Sequence, residues 1–100
     1  MAKYRFTKKA VGDLTHIWNY TVNVWSENQA ERYYRQLLTF CKEVASNPHL
    51  GKSYDGVAKN LFGLRANYHI IFYRVIKENE IEIVRILHER MDLKNRISDK

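Results

Sequence analysis

One hundred residues suffice for one domain with one core, and with a hydrophobic fraction of 45 % and no linker, repeat or low-complexity tract, residues 1–100 read as a single ordered domain. Seventeen Lys and Arg against eleven Asp and Glu give a formal charge of +6, which favours encounter with acidic partners and disfavours basic ones. A single cysteine excludes an internal disulfide, and no apolar run approaches the roughly 20 residues that span a bilayer, so the chain is expected in the cytoplasm with no membrane role.

The opening KYRF alternates with β-favouring aromatics and predicts a strand over residues 2 to 6, with Thr7 placed to cap a helix. From Lys8 to Trp25, Ala10, Leu14, Ile17, Trp18, Thr21 and Trp25 recur at three- and four-residue steps, the face of an amphipathic helix. SENQ then offers Ser26 as a second N-cap with Gln29 three positions on. Ala30, Tyr33, Tyr34, Leu37, Leu38, Cys41, Val44 and Ala45 carry the next stripe to NPHLG, where Pro48 and Gly51 end it. The two helices, joined by almost no loop, should form a hairpin. On these stripes Cys41 is read as core, and so are Trp18, Trp25, Tyr33 and Tyr34 before any role as nucleobase platforms.

Residues 51–60 lack a period and read as a loop. LFGLRA, YHIIFYRVI and IEIVRILHE then read as three strands, with KENE turning tightly around Asn79 between the last two. The expected fold is α+β in the order β-α-α-β-β-β, a helical hairpin on one face of a mainly antiparallel sheet, with a possible last helical turn from Met91 to Ile97.

If Ile76 pairs with Ile81, one face of the last hairpin holds His69, Ile71, Tyr73, Val75, Glu82, Val84, Ile86 and His88. The other holds Tyr68, Ile70, Phe72, Arg74, Ile76, Ile81, Ile83, Arg85 and Leu87. Both faces are greasy, and a helical hairpin covers one. The second face, with Arg74 and Arg85 lying diagonally across the strands, is therefore expected to be an open groove. Ile70, Phe72, Arg74, Ile83, Arg85 and Leu87 would receive an apolar partner segment that carries carboxylates. The alternative is that long arginine stems simply cover the sheet with their heads in water.

His16, His49, His69 and His88 show no metal-ligand spacing, and there is no phosphate-binding loop, dinucleotide fingerprint or serine elbow, so neither metal nor cofactor is expected. His69 opposite His88 suits either acid–base chemistry or ordinary packing. One enzymatic constellation can be written down, Arg65 and Lys59 gripping an RNA phosphate while His88 moves a proton; its alternative is a solvated basic patch. The positive charge is too scattered for sequence-specific nucleic-acid binding to be expected.

The whole chain resembles the ParE branch of the RelE/ParE toxins of bacterial type II toxin–antitoxin systems. The resemblance rests on KKAVGDLTHIWNYT in the first helix, NPHLGK after the second, HIIFYRV in the penultimate strand and above all VRILHERMD at the end. It implies a toxin neutralised by a ParD-like antitoxin encoded beside it, whose acidic amphipathic C-terminal segment would fill the groove and neutralise Arg74 and Arg85. It also implies that DNA gyrase is the target, inhibited by binding rather than by catalysis, and engaged by the segment from Arg90 to Lys100, with Arg90, Met91, Lys94 and Arg96 as contacts. The RelE branch instead cleaves mRNA on the ribosome with basic residues and a late tyrosine or histidine. This chain has Arg65 and His88, but its ending, MDLKNRISDK, lacks that tyrosine.

Overall fold

Two short hydroxyl side chains decide where the helices begin. The Thr7 hydroxyl accepts the Ala10 amide at 3.1 Å and the Ser26 hydroxyl accepts the Gln29 amide at 3.0 Å, each satisfying a donor that the helix itself leaves orphaned. The computed structural model describes residues 2–91 and Ile97. Its elements are β1 (Lys3–Phe6), α1 (Lys8–Val24), α2 (Glu27–Ser46), a 3-10 turn (Pro48–Leu50), β2 (Lys52–Ser53), β3 (Phe62–Ala66), β4 (His69–Lys77) and β5 (Glu80–His88). This is the expected α+β order with one short strand added from the predicted loop, where Lys52 and Ser53 pair with Gly63 and Phe62. The turn predicted at Met91–Ile97 falls mostly outside the described residues.

The sheet runs β1-β5-β4-β3-β2, with β1 parallel to β5 and every other pairing antiparallel. Asn67 and Asn79, at φ of 60° and 63°, make the two tight turns that flank β4. Asparagine tolerates this left-handed region better than other side chains with a Cβ.

The register of β4 against β5 corrects the sequence reading. His69↔His88 through Phe72↔Arg85 pair as expected, but the ladder then slips, and Tyr73 pairs with Ile83, Arg74 with Glu82 and Val75 with Ile81 before Lys77↔Glu80 restores the frame. One extra residue on β5, at Val84, turns the strand by one position. Because side chains alternate, that slip moves Ile81 and Ile83 from the face where they were expected to the face under the helices. There they join Ala10, Leu14, Leu37, Cys41, Val44, Ile71, Tyr73 and Ile86 in the main core.

At the slip, and beyond the end of β1 at Phe6, Thr7 and α1 bond backbone groups of β5. Thr7 donates its hydroxyl to the Val84 carbonyl at 2.8 Å, and the Asp13 carboxylate accepts the Ile86 amide at 2.9 Å. The same carboxylate takes the Arg85 guanidinium in a fork, Nε and Nη2 each at 2.8 Å, with both side chains at least four-fifths buried. A cation in the middle of an apolar strand is thereby explained: it is one jaw of a clamp between α1 and the bulge.

The outer face of the sheet carries a second cluster of Ile70, Phe72 and Leu87. It is covered by Tyr54, Val57, Ala58 and Leu61 of the 54–61 loop and by Ile97. The loop closes on itself, Tyr54 donating to the Leu61 carbonyl at 2.7 Å and the Asn60 amide to Asp55 at 2.9 Å. Tyr54 stands edge-on against Phe72 at 5.1 Å, and it lies so close over β3 that a Cβ at Gly63 would meet its ring at 2.6 Å. Among the described residues no helix is long and apolar enough to cross a membrane.

Candidate functional site

The three residues of the expected ribonuclease constellation are not brought together. Arg65 pairs across the ladder with Ile70 and so belongs to the outer face, where it is 70 % exposed and forms an ion pair with Glu89 at 2.5 Å. His88 pairs with His69, on the helix face. Lys59 lies toward the other end of the hairpin, its carbonyl accepting the Nε of Arg74 at 3.3 Å, five residues along β4 from His69 and so roughly 16 Å away at strand rise. No ordinary phosphate contact spans two sides of a sheet, and period-2 alternation separates Arg65 from His88 as surely as distance separates Lys59 from both.

The two histidines are instead part of the packing between α2 and the sheet end. Their rings meet edge-on at 5.4 Å, the Tyr33 hydroxyl sits 2.6 Å from His69 Nδ1, and His88 Nδ1 accepts the Arg90 amide at 3.2 Å. Burial, with the neighbouring His88 ring adding to it, pulls the His69 pKa down to about 4, so this imidazole is neutral at physiological pH. Burial also raises the Tyr33 phenol. Cys41 is pushed up to about 12 by desolvation and is no nucleophile. Among the described residues no cluster of His, Cys, Asp and Glu could hold a metal ion.

The expected partner groove on the outer face is also corrected. Phe72 and Ile83 are fully buried, Leu87 is 2 % exposed and Ile70 8 %, the first and last two beneath the chain's own loop and Ile83 beneath the helices. Arg85 is held by Asp13 on the helix side, and Arg74 is half-buried on the other, so the two arginines do not share a face and need no anion between them. Of the residues expected to reach a target, Arg90 and Met91 are exposed just past β5, while Lys94 and Arg96 lie outside the described residues.

One apolar opening lies at the edge of the sheet. Phe6 of β1, Val11, Leu14, Thr15 and Trp18 of α1 and Tyr34 of α2 line an apolar groove of about 400 Å³, with the Trp18 and Tyr34 rings edge-on at 6.1 Å. Val11 is half-exposed, and Tyr34 is open enough that neither it nor Trp18 is the plain core residue the helical stripe suggested. Between Ala2 and Gly12 the chain carries Lys3, Arg5, Lys8 and Lys9, all exposed, and no acid. Lys8 and Lys9 even occupy the first turn of α1, where the helix dipole disfavours cations. The groove therefore has an apolar floor, and of these cations Lys8, one helical turn before Val11 on the same side of α1, stands beside it. Its signal in the sequence is the breadth of the apolar arc of α1: Val11, Leu14 and Trp18 continue past the stripe of Ala10, Leu14, Ile17 and Thr21 that one buried face requires.

A second opening, of about 690 Å³, lies on the outer face between Leu50, Lys52, Tyr54, Arg65, Ile70, Glu89 and Arg90. Its Arg65 is already paired with Glu89, and Lys52 rests 5.3 Å above the Tyr54 ring.

A model of the family described as "ParE toxin of type II toxin-antitoxin system, parDE" matches residues 4–93. The chain belongs to the ParE toxin family. It is 37 % identical over 92 residues to Toxin ParE1 of Mycobacterium tuberculosis (strain ATCC 25618 / H37Rv), covering 92 % of this chain and 94 % of that one. Its fold is similar to a chain of the solved chromosomal ParDE TA system from P. aeruginosa, with a TM-score of 0.74 at 22 % identity over 88 % of this chain and 96 % of the other. A chain of the M. tuberculosis toxin–antitoxin complex RelBE2 is similar at a TM-score of 0.67 and 20 % identity, over 88 % of this chain and 98 % of that one. The helical pair on a mixed sheet is thus the RelE/ParE-like fold, and the chain is the toxin of a type II toxin–antitoxin system.

Proposed function

We propose that this ParE toxin acts by binding rather than by catalysis, that DNA gyrase is its target, and that a ParD-like antitoxin holds it inactive by lying along the groove between β1 and the helical hairpin. Family membership over nearly the whole chain carries the reading. The separation of Arg65 and His88 onto opposite faces supports action by binding, since the one ribonuclease constellation the sequence allows is not assembled. The apolar floor of the groove, with Lys8 beside it and a net positive chain around it, matches an acidic amphipathic segment, which would bury its apolar side chains against Val11, Leu14 and Trp18 and set carboxylates toward Lys8. Arg90 and Met91, exposed at the end of β5, remain available to the target while the groove is occupied.

Purified gyrase tests the target directly: saturating toxin should block supercoiling, and normal supercoiling would discard gyrase. Growth arrest on expression without antitoxin should persist in an Arg65→Ala, His88→Ala double variant. Loss of arrest in that variant, with transcripts cut in ribosomal register, would replace the binding reading with the ribonuclease one.

A further inference from the structure

One ridge of α1 belongs neither to the core nor to the groove. Gly12, His16, Tyr20 and Val24 follow one another at four-residue steps, and all four are exposed, Tyr20 by 65 %. Residues 14–26, which carry most of that ridge, contain no Asp, Glu, Lys or Arg, on a chain whose formal charge is +6. Gly12 is the member that the fold does not explain. Glycine weakens a helix interior relative to alanine, yet its φ here is not positive, and among the described residues a Cβ at this position would meet nothing within 4 Å. Neither a turn nor a close contact inside the chain calls for the missing side chain.

The two ends of the ridge differ in charge. Lys9, three residues before Gly12 on the same side of the helix, stands in a first turn that has no acid and where the helix dipole disfavours a cation. Val24, at the other end, leads directly into the hairpin tip and to Glu27, the acid in the first turn of α2. The ridge is thus basic at one end, acidic at the other and neutral between. It has a hole at Gly12 and a ring at Tyr20, each about 6 Å along the axis from His16. Such a surface is complementary to itself turned end for end.

We propose that two copies of this chain pair through α1, antiparallel, about a two-fold axis at His16. Tyr20 of each copy lies over Gly12 of the other, where the absent Cβ lets the ring reach the helix backbone, and Glu27 of each faces Lys9 of the other. A second copy is the occupant that charge selects: contact over the charged surface of a +6 chain is opposed by repulsion, whereas this strip is neutral and its ends attract. A single helix crossing buries less than the roughly 1,200 Å² of a stable interface, so the pair is weak, with a dissociation constant on the order of 10 to 100 µM. Val11 and Trp18 lie on the other flank of α1, so each copy keeps its groove open and the pairing does not rest on the antitoxin reading.

The test is sedimentation equilibrium of the purified chain across about 5 to 500 µM, a range that brackets that constant. The average mass should rise with concentration from 12.0 kDa toward twice that value. Gly12→Leu, which fills the hole with a good helix former, should weaken pairing by roughly ten-fold or more while the melting temperature holds or rises. Tyr20→Ala, at an exposed position, should weaken it by a similar factor. Lys9→Glu and Glu27→Lys should each weaken it at low salt, and the two together should restore it to within about three-fold. A monomer at every concentration would overturn the proposal, and so would a dimer that Gly12→Leu and Tyr20→Ala leave unchanged, because it would use another face. A charge exchange that fails to restore pairing would overturn the antiparallel register.

Discussion

The two faces of this sheet are closed by different means. Under the helices, a conventional core is fastened at one point by the Asp13–Arg85 fork, which also takes the Ile86 amide beyond the end of β1. On the other face a loop of eight residues, 54–61, bends over Phe72 and Leu87, and Ile97 closes the cluster. The contrast teaches where to look for a partner. A sheet that is apolar on both sides need not await another protein, because its own connecting loop is able to cover one side. An apolar place left unfinished among the described residues is the rim, where β1, α1 and α2 meet without closing over Phe6, Val11 and Trp18.

The largest effect should come from breaking the clamp. Asp13→Ala removes the carboxylate that takes both the largely buried Arg85 guanidinium and the Ile86 amide and should destabilise the chain by about 3 kcal/mol, read as a shift in the denaturant midpoint. A loss near 1 kcal/mol would mean that the fork is not what fastens α1 to the bulge. Next is the loop side: Leu61→Ala, at a fully buried position, should cost about 2 to 4 kcal/mol, and a negligible cost would show that the loop only rests on the sheet.

A smaller effect is set by pH. His69 titrates near 4 in the folded chain against an ordinary 6.5, so below 6.5 the unfolded state takes up a proton that the folded state refuses. Stability should therefore fall as pH drops from 6.5 to about 4 and gain no further loss from this group below that. Discounted for its partial exposure, the His69 contribution is about 1 to 2 kcal/mol. His69→Gln should flatten that part of the profile, and an unchanged slope would place the titration elsewhere.

Much of this architecture was legible in the sequence, and the failures have particular causes. Thr7 and Ser26 announced the helix starts because capping is local chemistry, and the turn at Asn79 sits where KENE placed it. The outer ladder from His69 to Phe72 also followed from counting outward from that turn. One bulged residue at Val84 then defeated the counting, and every side-chain assignment between Ile81 and Arg85 reversed with it. Nothing local in EIEIVRIL marks the slip; its reason is tertiary, since Thr7 and Asp13 offer partners 70 or more residues away in the chain. Residues 54–60 are the loop that was expected, but their role as cover for the outer face was missed for a related reason. GKSYDGVAKNL has no period, and its Tyr54, Val57, Ala58 and Leu61 declare themselves apolar cover only once the loop has folded back. The groove was half legible: Leu14, Trp18 and Tyr34 stood on the helical stripes but Val11 did not, and each stripe was taken for one buried face.

The open rim is the proposed contact surface, and the opening beside Lys52 on the outer face is not. The most direct measurement is calorimetric affinity for the antitoxin of Val11→Asp, which sets an acid in the groove at a half-exposed helical position, beside Lys52→Glu on the outer face as its counterpart. Val11→Asp should lower affinity by roughly 100-fold with the melting temperature nearly unchanged, and Lys52→Glu should alter it by no more than about three-fold. Full affinity in Val11→Asp, or a loss confined to Lys52→Glu, would contradict it.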